Sequence, residues 1–274
     1  MKTKKSDMAE NPFVPKLYKV LDFYRDAEDM FTLTINMKKE HQPGQFVQIS
    51  LPGVGEAPIS IGSDSKEHIK LSIKEVGNVT RALSRLRKND KILIRGPYGK
   101  GYPMESLKGN SIIIVGGGCG VAPLRSVIDY IENHRAEYRD VQLFFGYRAP
   151  NEILFKKEME DWKKKYSMKI TVDKNPKGKF CYDAAEGHIT DIIRQAELNN
   201  KNKVVFLCGP PKMMQSVIDV LKQRGFHDDQ IFLSAERMMY CALGVCCHCM
   251  IREKFTCTDG PVFRYDEIKD LKND

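Results

Sequence analysis

Between residue 13 and about residue 105, apolar and polar positions alternate in short runs. FVQISL (46–51) and HIKLSIKEV (68–76) keep the period of two expected of half-buried strands. KILIRG (91–96) is another such run, and it stops in the turn-rich GPYGKGYP. TRALSRLRK (80–88) switches to a helical period and predicts a short amphipathic helix between strands. Short strands, frequent turns and one helix predict a small antiparallel barrel over residues 13–108.

The pattern changes near Asn110. SIIIVGGG (111–118) is a continuous β-branched run into glycines, as for a buried parallel strand. APLRSVIDYIENH (122–134) reads as helix and VQLFFGY (141–147) as strand. EILFKKEMEDWKKKY then reads as helix, MKITVDK as strand and HITDIIRQAEL as helix. KVVFLCGPP (203–211) closes the series as strand and turn, before the helix KMMQSVIDVLKQRG. Strands alternating with helices predict a doubly wound parallel sheet over residues 109–235. Residues 236–274 remain as a cysteine-bearing C-terminal appendage. The chain shows no internal repeat and no low-complexity linker.

Composition excludes several classes. The 274 residues suffice for two domains, and 42% hydrophobic with 29% charged residues is ordinary for a globular protein. No apolar run reaches the length of a membrane span. The net charge of +8 is spread along the chain in short lysine runs such as Lys163, Lys164 and Lys165. With no basic helix interleaved with aromatics, nucleic acid is not an expected partner. The first residues, MKTKKSDMAENP, lack the apolar stretch of an export signal, so a cytoplasmic location is expected. In that compartment eight cysteines point to metal ligation rather than disulfides.

Four of those cysteines carry the most chemistry. Cys241, Cys246 and Cys249 stand as C-x4-C-x2-C in CALGVCCHC, and Cys257 follows. This is the ligand spacing of a plant-type [2Fe–2S] cluster, a one-electron carrier. On spacing alone a structural zinc ion, disulfides or free thiols stay open. Cys247, adjacent to Cys246, reads as a bystander. Elsewhere GGGCGVAP (116–123) and CGPP (208–211) both follow predicted strands. Such turns lie at the carboxyl edge of an open sheet, where glycine backbone and a helix N-terminus receive a dinucleotide pyrophosphate. Either turn alone is equally a tight structural turn. EAPIS (56–60) and VGNVT (76–80) flank a strand. By physics alone Pro58 reads as a turn residue and Thr80 as a helix N-cap.

EAPIS, VGNVT, GPYGKGYP, GGGCGVAP, CGPPKMM and the cysteine loop occur in this order from about residue 13 to 271. The series resembles the ferredoxin-reductase-like flavoproteins, and within them the electron-transfer subunits with a C-terminal [2Fe–2S] loop. Those include the electron-transfer subunits of anaerobic sulfite reductase and of dihydroorotate dehydrogenase, and the gamma subunit of sulfhydrogenases. GVGEAPIS and FTCTDGPVFRYDEI look most like the sulfite reductase and sulfhydrogenase branch.

The resemblance implies FAD on the barrel. Pro58, Ile59 and Ser60 would contact the isoalloxazine and ribityl region, Ser72, Ile73 and Lys74 would line the same site, and Val79 and Thr80 would hold the pyrophosphate. Ala57 stands where the wider family has arginine and Ile59 where it has an aromatic residue, so Lys74 is expected to supply the missing charge. The resemblance also implies NAD(P)H on the α/β domain. Gly116, Gly117, Gly118 and Gly120 would lie under its pyrophosphate, and Cys208, Gly209 and Pro210 would face the nicotinamide. Cys208 reads equally as a small buried hydrophobe. Arg148 would sit near a ribose phosphate. Cys241, Cys246, Cys249 and Cys257 match the cluster ligands one for one, whereas Cys119 and Cys181 need no function. The implied activity is NAD(P)H-dependent electron transfer through FAD and the cluster to or from a redox catalytic subunit of a hetero-oligomeric complex. It needs no catalytic acid, base or nucleophile. The electron-transfer subunit of dihydroorotate dehydrogenase, a zinc-clipped flavin reductase and a nucleotide-binding module without a cluster are the alternatives.

Overall fold

The computed structural model describes residues 11–175 and 183–269. Cys181 lies outside these described residues. The first half contains strands β1 (Lys16–Ala27), β2 (Met30–Ile35), β3 (Phe46–Leu51), β4 (Gly55–Ser60) and β5 (Lys70–Lys74), helix α1 (Asn78–Leu83) and strand β6 (Lys91–Tyr98). They pair antiparallel in the order β4-β3-β6-β1-β2-β5. A bridge between Ile61, just after β4, and Leu71 of β5 joins the two edges, so the sheet curls onto itself. The alternation read in the sequence is the reason. Val47, Ile49, Leu71, Leu33 and Ile35 are fully buried and fill one interior.

The second half runs β7 (Ser111–Gly117), α2 (Val121–Asn133), β8 (Val141–Tyr147), α3 (Lys156–Lys165), β9 (Ser167–Val172), β10 (Ala185–Glu186), α4 (Ile189–Gln195), β11 (Lys203–Cys208), α5 (Pro211–Gln223) and β12 (Ile231–Ser234). After it come β13 (Met250–Ile251), β14 (Lys254–Phe255) and β15 (Val262–Arg264). The large sheet is ordered β10-β9-β8-β7-β11-β12-β15. All its pairs are parallel except the last. Ile112 and Ile114 pack under α2 and α3, while Ile113 and Val115 pack under α4 and α5. The sheet is therefore covered on both faces, as its unbroken apolar strands require. Chain order reverses between β7 and β11, the position where open sheets of this kind bind ligands.

Three local differences from the sequence reading have physical causes. The helix expected at 80–88 starts at Asn78 and ends at Leu83, and isolated turns follow, with Leu86 N–H bonded to the Leu83 carbonyl. The helix read from Glu152 begins only at Lys156. Ile153, Leu154 and Phe155 are all buried, and Phe155 takes a φ of 52° to achieve it, so burial overrides helical spacing. The C-terminal appendage does not merely trail. Its β15 adds antiparallel to β12 and brings Phe263 and Ile268 into the α/β core.

Candidate redox site

A cleft of about 610 Å³ separates the barrel from the carboxyl edge of the large sheet. Gly117 and Gly118 form its floor, Pro210, Lys212 and Met213 one wall, and Arg148, Asp173 and His188 the far end. The barrel contributes Asp29, Met30 and Lys74. The glycines divide by role. A Cβ on Gly120 would lie 2.5 Å from the Cys208 carbonyl oxygen, and one on Gly116 would lie 2.8 Å from Val121 Cγ2. These two let the turns pack against each other. Gly118 has open space beside it but a φ of 54°, so it serves conformation and exposes backbone to the cleft. Gly209, with φ of 156°, would bring a Cβ within 3.1 Å of the Gly117 nitrogen. The two glycine turns are thus neighbours in space, as expected of a dinucleotide seat.

Cys208 does not line this cleft. It is 2% exposed, hydrogen-bonds Ser234, and burial pushes its thiol far above the ordinary range. It belongs to the core beside Phe206, which is the small-hydrophobe reading. Cys119 is exposed and faces the cleft. Glu236 was not singled out by sequence. Its charge bears on both Cys119 and Cys208, and burial raises its carboxyl. No periodicity marks it.

The residues that the resemblance assigns to a flavin gather where β4, β5 and α1 meet. Pro58 and Ser60 pair across from Gln48 and Phe46 and share their face. Ile59 pairs with Val47 and packs on the barrel core, with Val79 beside it, and Ile73 is 1% exposed inside that core. Thr80 is not the N-cap. Gly77 caps the helix, and the Thr80 hydroxyl accepts the N–H groups of Val76 and Gly77 at 3.0 and 2.9 Å. Ser72 Oγ lies 2.7 Å from Thr32 Oγ1, which donates to Asp26 at 2.6 Å. Burial lifts the Asp26 carboxyl to about 6 against the pull of that bond. Lys74 pairs with Asp29 at 3.2 Å. A Cβ on Gly62 would stand 3.3 Å from the Ala122 carbonyl oxygen and 4.0 Å from Ser72 Oγ. The barrel site therefore abuts the first turn of α2, at the mouth of the nucleotide turns.

The cysteine loop lies against the outer barrel face. Positive φ at Ala242, Gly244 and Cys247 turns its amides inward. Cys241 Sγ receives the N–H groups of Leu243 at 3.4 Å, Val245 at 3.3 Å and Cys246 at 3.4 Å. Cys257 Sγ receives the Gly244 N–H at 3.2 Å. The strongest sulfur–sulfur interactions are Cys246 with Cys241 and Cys257 with Cys249, and Cys241 also acts on Cys257. Among the described residues no three metal-binding side chains gather around one point. Amide donors, His248 first, lower the Cys246 thiol to about 7, whereas burial and then the Cys249 sulfur raise Cys257 to about 12. Cys247 is exposed and outside both pairs. Four thiols in two pairs, with amides donating to sulfur, fit a sulfur-ligated iron group.

Arg95 ties this loop to the barrel. It projects from β6, is 7% exposed, and donates to the carbonyls of Cys241 (2.6 Å) and Tyr240 (3.0 Å). Glu56 of β4 holds it bidentately, and the Tyr98 ring lies 5.5 Å from its guanidinium carbon. Phe46 and Tyr98 pack with Ala242, Cys249 and Cys257. A basic residue in an ordinary strand pattern gave no sign of this role.

Comparison with known proteins agrees with the architecture. The oxidoreductase NAD-binding domain family matches residues 114–219, and the iron–sulfur cluster binding domain of dihydroorotate dehydrogenase B matches residues 236–269. Sulfhydrogenase 1 subunit gamma of Pyrococcus furiosus is 36% identical, with 94% of each chain covered. A probable dihydroorotate dehydrogenase B (NAD(+)) electron transfer subunit of Thermococcus kodakarensis is 31% identical over 89% of this chain and 94% of its own. Among solved structures, the NADH-dependent reduced ferredoxin-NADP oxidoreductase studied for flavin-based electron bifurcation superposes with a TM-score of 0.77 at 25% identity, covering 96% of this chain and 91% of that one. A ferredoxin NADP+ reductase from Neisseria gonorrhoeae with bound FAD and NADP shares the fold, with a TM-score of 0.67 at 16% identity over 80% of this chain and 97% of its own. A barrel, a two-faced parallel sheet and a paired-cysteine loop, matched over nearly the whole length, make this chain a member of the ferredoxin-reductase-like oxidoreductase family that contains the sulfhydrogenase gamma subunits and the dihydroorotate dehydrogenase B electron-transfer subunits.

Proposed function

We propose that the chain is the electron-transfer subunit of a cytoplasmic hetero-oligomeric redox complex. It joins NAD(P)H, FAD and a [2Fe–2S] cluster to a catalytic partner of the sulfhydrogenase or anaerobic sulfite reductase type. Residues 13–108 form the flavin domain, 109–235 the nicotinamide domain and 236–274 the cluster segment. One observation carries the reading: the paired-cysteine loop is bonded through Arg95 and Glu56 to β4, the strand whose Pro58 and Ser60 are the flavin candidates. That connection supports one-electron chemistry next to two-electron chemistry. Among the described residues no helix is long and apolar enough to cross a membrane.

A flavin takes two electrons from a nicotinamide hydride, and a [2Fe–2S] centre takes one at a time. The residues hold and orient. Gly117, Gly118, Gly209 and Pro210 present backbone to the nicotinamide cofactor's pyrophosphate and ring, with Gly116 and Gly120 packing the turns beneath. Pro58, Ser60, Ser72, Lys74 and the backbone of Ile59, Ile73, Val79 and Thr80 frame the flavin. Cys241, Cys246, Cys249 and Cys257 would supply the four thiolate ligands of the cluster. The similarity to sulfhydrogenase gamma subunits supports a hydrogenase-type partner.

The test is the absorption spectrum of anoxically purified protein with iron and flavin quantified. About two irons and one flavin per chain, with both chromophores visible, support the proposal. Flavin with zinc and no iron overturns the relay and leaves a flavin reductase with a structural clip. In an anoxic rapid-mixing experiment NAD(P)H should bleach both chromophores; bleaching of the flavin alone would contradict the relay.

A further inference from the structure

Gln48 is a buried amide with no partner among the described residues. It is 1% exposed, and neither its Oε1 nor its Nε2 meets a hydrogen-bonding group there. A buried polar group left unsatisfied is costly, and such groups are rare in folded proteins. Its place explains what it awaits. Val47 and Ile49 on either side point into the barrel, so alternation puts Gln48 on the outer face of β3. Two residues back on that face, Phe46 packs with Cys249 and Cys257. Directly across in β6, Arg95 pairs with Gln48 and bonds the carbonyls of Tyr240 and Cys241. Gln48 thus sits beneath the loop, between the neighbour that reaches one cysteine pair and the neighbour that reaches the other.

We propose that Gln48 Nε2 donates a hydrogen bond to a sulfur of the iron–sulfur group and thereby raises its reduction potential. The inference rests on the cluster reading above. Its physical basis is charge. Reduction adds negative charge to the sulfurs, so an N–H donor stabilises the reduced state more than the oxidised one. The Gln48 amide is itself closed off from water, which strengthens the effect. The same donor also explains why β3 carries a costly polar side chain where an apolar one would pack.

The experiment uses the full chain purified without oxygen. Iron content, melting temperature of the loaded and iron-free forms, and a redox titration followed by electron paramagnetic resonance are measured for the parent and Gln48→Met. Met keeps the length and removes the donor. The expected result is parental iron content, a higher melting point for the iron-free variant, and a reduced fraction about tenfold lower at fixed poise. That change is about 59 mV for one electron. An unchanged potential and unchanged spectrum in a loaded Gln48→Met would overturn the proposal, as would a shift confined to the flavin. If that variant takes up no iron, Gln48→Asn, which withdraws the amide by one methylene, decides by the same titration. A parent without any cluster signal would instead sink the cluster reading itself.

Discussion

Arg95 Nη1 lies 2.6 Å from the carbonyl oxygen of Cys241. A guanidinium from the barrel thus holds the backbone of the first residue of the cysteine motif, while Glu56 keeps that guanidinium charged and oriented. The fork geometry matters: one nitrogen serves Cys241, another serves both Tyr240 and Glu56.

Arg95→Ala should loosen the loop and leave Glu56 facing it unpaired. Breaking a largely buried pair costs about 3 kcal/mol. Urea unfolding should show a loss of that order, with iron lost on dilution. Arg95→Lys should retain part of the stability but little of the iron retention, because an ammonium cannot reach three acceptors at once.

The two sulfur pairs make the cysteine series unequal. Serine at Cys241, Cys246, Cys249 or Cys257 should remove most of the iron-dependent absorption. Serine at Cys247, which is exposed and outside both pairs, should leave it intact. Iron loss in Cys247→Ser would contradict the assignment.

The glycine turns should respond by mechanism. Gly120→Ala places a Cβ 2.5 Å from a backbone oxygen that cannot retreat, so folding should suffer before binding does. Gly118→Ala meets no atom and loses only about 1–2 kcal/mol for its positive φ. Thermal melting with nicotinamide titration separates the two.

Acidity provides a fourth check. Burial raises Asp26 and Asp129 to about 6. A carboxyl raised above its unfolded value contributes stability that is fully present below about pH 4 and is lost as pH rises through about 6. Each contributes at most about 2–3 kcal/mol at the acid end. In Asp26→Asn or Asp129→Asn, unfolding free energy between pH 4 and 6 should fall less steeply than in the parent. An unchanged slope in both would contradict the buried placement.

Arg148 lines the cleft, as do His188 and Lys212. Arg148→Ala should raise KM for NADPH several-fold more than for NADH. Equal kinetics in parent and variant would remove its role in cofactor choice.

The chain by itself determined the architecture and singled out the cysteine loop, because both are written in local spacing. Period-two runs such as FVQISL made the barrel strands. The unbroken SIIIVGGG marked a strand buried on both faces, and C-x4-C-x2-C marked the candidate ligand loop. Tertiary structure decided what each side chain does there. Ile59 and Ile73 turn to the barrel core, Cys208 sinks behind the cleft, and Thr80 serves the start of its own helix. Arg95 reaches a carbonyl 146 positions away, and Phe46 packs with Cys249 and Cys257, some two hundred residues later in the chain. Periodicity reports which face of an element is buried. It carries no record of which distant segment covers that face, and the link from β4 through Arg95 to the cysteine loop is a contact of that kind.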